Sequence, residues 1–200
     1  VAETRRTDLL LDVLSWSVEA AQFELGEVVL ARMEEAARTR ADVVRGHARL
    51  RLAEGARDRA RQLCESALVD RPQDPGLLIE LAGVLARQGD YEAGLRCLAS
   101  MPPRAARLVP VLRLRATLLR IAGDAEEALR VLESVRGEPD AADALELLYI
   151  CRAIDDTDRA SELWSAWSEV GAADLSWRIQ DLSRWLGPMR PWPAAARQPE

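Results

Sequence analysis

One recurrence constrains this chain more than any other feature. When residues 75–108 are laid under 41–74, Gly89 falls under Gly55, Cys97 under Cys64 and Ala82 under Ala48. The period is 34 residues. The stretch 109–140 keeps the pattern with Ala116, Gly123 and Ala128, and 141–172 continues it with Asp155-Asp156 and Ala160. The clearest copy, LAGVLARQGDYEAGLRCLAS at 81–100, reads as a helix, a tight turn at Gly89-Asp90 and a second helix. A chain that repeats such a unit buries its apolar faces by stacking each unit on its neighbours.

Composition agrees with helix throughout. Ala, Leu, Arg and Glu dominate, all good helix formers, and β-branched alternation is sparse. A 200-residue chain with 48% hydrophobic residues is long enough to bury a sizeable core. The net charge of -6 argues against nucleic acid, which needs a basic footprint. No apolar run approaches the roughly 18 residues of a membrane span. All 27 cationic side chains are Arg, a usage that points to a bacterial, GC-rich genome. Three Cys, an odd number, suggest neither a disulfide framework nor a zinc site. The chain opens at Val1 without a signal-peptide pattern, so the expected compartment is the cytoplasm, with the periplasm left open. The missing initiator Met implies processing or a piece of something longer.

The pattern resembles the tetratricopeptide repeat, a 34-residue helix–turn–helix. That family wants small residues at places 8, 20 and 27, Gly-Asp-Tyr near 15–17, an aromatic or apolar residue at 24 and Pro at 32. Unit 41–74 supplies Ala48, Gly55, Ala60, Ala67 and Pro72, with Cys64 at the aromatic place. Unit 75–108 supplies Leu78, Ala82, Gly89, Asp90, Tyr91 and Ser100, with Gly94 in place of the crossing Ala. Places 8 and 20 lie where the paired helices cross, and only small side chains let the axes come within about 8–10 Å. Gly near place 15 takes the left-handed conformation that ends a helix. Asp90 and Asp124 stand where they cap the next one.

The resemblance implies an all-α, right-handed α-solenoid of about five helix hairpins plus a C-terminal capping helix. The units are expected at about 7–40, 41–74, 75–108, 109–140 and 141–172, in a single domain spanning 1–187. In the first, AQFELGEVVLARMEEAARTR resembles the second helix, with Gln22-Phe23 near the turn. Met101-Pro102-Pro103 cuts one helix short and makes 101–107 a bend. Glu138-Pro139-Asp140 makes a shorter break, so the next unit begins after 32 residues. Residues 173–187 read as the capping helix, with Leu175, Ile179, Leu182 and Leu186 on one stripe, and 188–200 as a Pro-rich tail.

No catalytic constellation is visible, so the expectation is a non-enzyme without cofactor or metal. His47, the lone His, falls on an interior place and reads as a satisfied core residue. Cys64, Cys97 and Cys151 fall on packing places.

In the resembled family, places 2, 5, 9 and 12 of the first helices line a concave groove. Here they bring Arg45, Arg49, Arg113, Thr117, Arg120, Tyr149 and Arg152 to the wall, with Arg87 adjacent, while Gly76, Gly83 and Ala86 leave its middle shallow. Two readings stand side by side. The Arg forks take an acidic segment or a C-terminal carboxylate, or they pair with Asp and Glu on neighbouring helices. The Lys and Asn clamp of heat-shock co-chaperones is absent. Trp164 and Trp167 are expected to pack, whereas Trp177, opposite the apolar stripe, and Trp192 in the tail offer a second surface for a partner or another copy. The resemblance implies a protein-interaction module binding a polypeptide, as an assembly factor or chaperone of an envelope, secretion or polysaccharide-export system. The alternative is a sensor or regulatory arm of a larger signalling or transcriptional protein.

Overall fold

The computed structural model describes residues 2–135 and 141–168. They are helical throughout, and no strand occurs among them. In chain order the helices are α1 (Ala2–Glu19), α2 (Phe23–Arg32), the single-turn α3 (Glu35–Arg38), α4 (Ala41–Ala53) and α5 (Arg57–Asp70). They continue with α6 (Pro75–Gln88), α7 (Tyr91–Ala99), α8 (Val109–Ala122), α9 (Ala125–Glu133), α10 (Ala141–Ala153) and α11 (Thr157–Ser168). The chain forms two compact units, one running to Leu114 and the other starting at Arg115, so the division falls inside α8.

At three hairpin turns local chemistry ends the helix where the sequence says it should. Gly89 closes α6 at φ 86°, a left-handed conformation that costs an L side chain roughly 1–2 kcal/mol, and Gly55 and Gly123 do the same at 83° and 98°. Two hairpins lack the Gly: Ala21 (φ 53°) and Asp155 (φ 57°) carry the strained turn instead. Asp90 and Asp124 then cap α7 and α9, accepting from the amides of Ala93 and Glu127. Asp74 caps α6 through Leu77 N, ahead of Pro75 at its first turn.

The helices of a hairpin meet through their smallest residues. Ala48, Ala60, Ala82, Ala116, Ala128 and Ala160 are all completely buried, and Gly94 is buried on α7. The first hairpin uses Gly26. A methyl added there would lie 2.8 and 2.9 Å from the two methyls of fully buried Leu50 and 3.0 Å from Ser17 Oγ. Around these crossings sit the apolar clusters: Leu14, Val29, Leu30, Met33, Val43 and Leu50 in the first, and Ala48, Ala60, Cys64, Leu81, Val84 and Leu85 in the next. In the second unit Leu145, Leu148, Cys151, Ala160 and Trp164 form the core.

Three expectations need correction or limits. α1 starts at Ala2, not near residue 7. The second helix of that hairpin does not run to Arg40. It stops at Arg32, because Met33 turns extended (φ -73°, ψ 140°) to bury its side chain, and Arg38 then closes the bend by donating to Met33 O (3.1 Å) and Ala31 O (3.0 Å). The break at 138–140, the capping helix 173–187 and the tail 188–200 lie outside the described residues. The bend at 101–107 appears as expected, with α7 ending at Ala99, Met101 buried and a 3-10 turn at Ala105–Arg107.

The glycines supply a test. Gly26→Ala should lower stability by about 1–3 kcal/mol, because Leu50 has nowhere to move. Gly83→Ala, on α6 with nothing within 4 Å of the added methyl, should raise it by roughly 0.5–1 kcal/mol. Urea denaturation of the two variants checks the sign of each.

Candidate functional site

In the first unit α1 packs on α4 and α4 on α6, so the first helices of successive hairpins form one layer. The expected wall residues lie on it, but in two different states. Arg49, from α4, donates Nε to Glu80 Oε2 of α6 at 2.8 Å, and the Glu80 side chain is only 10% exposed. That Arg is therefore committed to its neighbour. Arg45 is not. Its guanidinium lies over Gly76 at the first turn of α6, where an added methyl would stand 2.9 Å from its terminal nitrogen, and its buried Nε has no hydrogen-bond partner. Arg87 is exposed on the last turn of α6 and makes no ion pair with the described residues. Between them Ile79 and Ala86 are half-buried, and Gly83 opens onto empty space. At the α1 edge, Arg40 binds Asp42 (2.6 Å) and Asp8 (3.1 Å), which holds the Asp42 carboxyl below its ordinary range.

The second unit repeats the committed arrangement. Arg120 of α8 donates to Glu146 of α10 at 2.7 Å and lies 5.3 Å from the ring centre of Tyr149, a cation–π contact. Thr117 is half-buried one turn earlier. Arg113 and Arg152 are engaged in interactions too, Arg113 half-buried and Arg152 exposed. For Arg49 and Arg120, then, pairing across neighbouring helices is what the structure shows. Arg159 of α11 pairs with Glu133 of α9, and Arg115 of α8 with Glu127 of α9 at 3.3 Å.

The chemistry-bearing side chains serve packing. His47 is half-buried and accepts at Nε2 from Arg51 Nε (3.1 Å), which requires a neutral ring. Burial, followed by the charge of Arg51, pushes its pKa below the ordinary 6.5. Arg51 itself ties α4 to α2 through Glu27 (2.6 Å) and to Glu54 (2.8 Å). Burial pushes the Cys64 thiol up to about 12 and raises Cys151 and the half-buried Cys97 as well, so thiolate chemistry is disfavoured at all three. Among the described residues no group of three or more His, Cys, Asp or Glu is placed to hold a metal, and no helix is long and apolar enough to cross a membrane.

Trp164 is buried within its own hairpin, in the cluster with Leu145 and Leu148. The Trp167 side chain, Trp177 and Trp192 lie outside what is described. Sequence reasoning overlooked a different Trp. Trp16 is 55% exposed on α1, in line with Leu9 (66%) and Val13 (39%). The signal was present: DLLLDVLSWSV carries apolar residues on two faces, Leu10, Leu11, Leu14 and Val18 on one and Leu9, Val13 and Trp16 on the other, and is not simply amphipathic.

Small-residue crossings, left-handed turns and a layer of first helices define a helical-hairpin repeat protein. A family model described as tetratricopeptide repeat matches residues 51–118. Over that stretch the chain matches the tetratricopeptide repeat, and it has the all-α fold of solved tetratricopeptide repeat proteins. The same fold is seen in a thermophilic tetratricopeptide repeat protein from Thermus thermophilus (17% identity, 90% of this chain and 100% of that one, TM-score 0.71). It is seen also in Pseudomonas aeruginosa pilF (15% identity, 93% and 90%, TM-score 0.72). A tetratricopeptide repeat protein from Parabacteroides merdae shares it as well (16% identity, 89% and 72%, TM-score 0.67). Comparison with curated protein sequences gives no match.

Two measurements check the electrostatics. Because the folded pKa of His47 lies below its unfolded value, the unfolded chain binds the extra proton first. The stability linked to this ring is complete above about pH 6.5 and falls as the pH drops below it. In wild type minus His47→Gln, that loss should appear as a difference in melting temperature that opens on acidification. For the Arg49–Glu80 pair, Arg49→Glu should destabilise on the order of 1 kcal/mol, discounted because Arg49 is half exposed. Adding Glu80→Arg should recover much of that loss in a double-mutant cycle.

Proposed function

We propose that this chain is a non-enzymatic module that takes an acidic polypeptide segment on the α4–α6 layer of its first unit. The observation that carries the reading is Arg45, an inner-layer, half-buried guanidinium that has no ion-pair partner among the described residues. It stands beside a stretch of α6 whose floor at Gly83 is open. A carboxylate is the ordinary partner for such a group. Arg87 supplies a second cation at the other end of α6. Arg49, held by Glu80, keeps the layer together and leaves the spare donors to its neighbours. As an assembly factor or chaperone, the protein would hold a segment of its client here, in the cytoplasm.

Peptide selection tests the idea. A random peptide library displayed on phage, panned against the chain, should enrich sequences rich in Asp and Glu. Arg45→Ala should weaken the selected peptides at least about tenfold. Gly83→Trp should block them while leaving the melting temperature near wild type, since the added ring meets open space. Enrichment without acidic residues, or binding indifferent to Arg45→Ala, would overturn the acidic-segment reading. Binding unaffected by Gly83→Trp would move the site away from α6.

A further inference from the structure

The face of α1 turned away from its hairpin has no role in the layer described above, and its composition is unlike a solvated surface. Leu9, Val13 and Trp16 are separated by four and three residues, the spacing of a helix–helix seam. They are 66%, 39% and 55% exposed, while the opposite face, with Leu14 and Ser17 fully buried, packs into the first hairpin. An exposed stripe built around Trp marks an interaction surface.

We infer that this stripe pairs with the same stripe of a second copy, α1 against α1 in antiparallel register, to make a two-fold dimer. The argument is the stripe's complementarity to itself. A two-fold interface sets residue i against j and j against i. An antiparallel pairing centred next to Val13 lays Leu9 of one copy against Trp16 of the other, twice, with the two Val13 side chains at the axis. The charges at the two ends obey the same rule, while Asp12, exposed on the flank they share, meets its own copy beside the axis, so Asp12→Asn should tighten the pair. Arg5, before the stripe, and Glu19, after it, flank it on one side; both are exposed and neither has an ion-pair partner among the described residues. Reversal of the second helix brings its Glu19 to Arg5. A parallel two-fold pairing would put these flanks on opposite sides of the seam, so only the antiparallel arrangement brings Glu19 to Arg5. The surface is distinct from the Arg45 layer, so the dimer stands or falls independently of the peptide reading.

Sedimentation equilibrium of the 200-residue chain over a concentration series tests it directly, with an expected limiting mass of twice 22.2 kDa. Leu9→Glu and Trp16→Glu, at exposed positions, should each weaken association at least about tenfold without lowering the helical signal. Arg5→Glu and Glu19→Arg should each weaken it, and the double variant should restore it. A Val13→Cys chain should oxidise to a covalent dimer, since the two residues meet at the axis. A monomer at every concentration would overturn the proposal and assign the stripe to a different occupant. A dimer indifferent to Trp16→Glu, or a charge swap that fails to restore association, would overturn it as well.

Discussion

The close approach of paired helices is the constraint on which the rest of this structure depends. Wherever two helices of a hairpin cross, the contact is made by a buried Ala or Gly: Ala48 and Ala60, Ala82 and Gly94, Ala116 and Ala128. A larger side chain at any of these would push the axes apart and strip contacts from the Leu and Val residues flanking the crossing. Gly26 shows how little slack there is, with the two Leu50 methyls already filling the place of its missing carbon. The turns serve this contact. Gly55, Gly89 and Gly123 reverse the chain within a few residues, and the Asp that follows Gly89 and Gly123 starts the returning helix at once.

A second regularity is electrostatic. Glu80 and Glu146 occupy the same place in their units, and each takes an Arg from the first helix of the preceding hairpin. In a chain whose cations are all Arg, such pairs hold neighbouring first helices in register through charge-assisted hydrogen bonds. They also divide the inner-layer Arg residues by role. Those facing a carboxylate are part of the scaffold. Arg45 instead faces Gly76 and has no ion-pair partner among the described residues, which is why the proposed site rests on it.

The fold was legible in the sequence because its determinants are local or periodic. Small residues at a fixed spacing, Gly followed by Asp at the turns and the Pro pair at 102–103 each act within a few residues of themselves, so counting along the chain found them. The first hairpin was harder to read. Its turn carries Ala21 at the place that Gly55 and Gly89 hold in later units, so the turn signal is missing, although Gly26 falls at the same crossing place as Ala60 and Gly94. The helix end at Arg32 was missed for a different reason. A long-range need to bury Met33 overrides the helix propensity of the Met-Glu-Glu-Ala-Ala stretch around it. The candidate site was legible as a set of positions, but its chemistry was not. Sequence spacing placed Arg45 and Arg49 on one wall and could not say that one would find a carboxylate and the other a glycine.

The amino-acid sequence by itself determined that this protein is built of stacked helical hairpins, where each hairpin turns, and which residues sit at the crossings. Short-range sterics and capping suffice for all three. Only the tertiary structure decided which Arg residues are spoken for and which stay available, and that α1 carries a second apolar face with Trp16 at its end. Both depend on what a neighbouring helix places opposite a side chain, and residues far apart in the chain settle that.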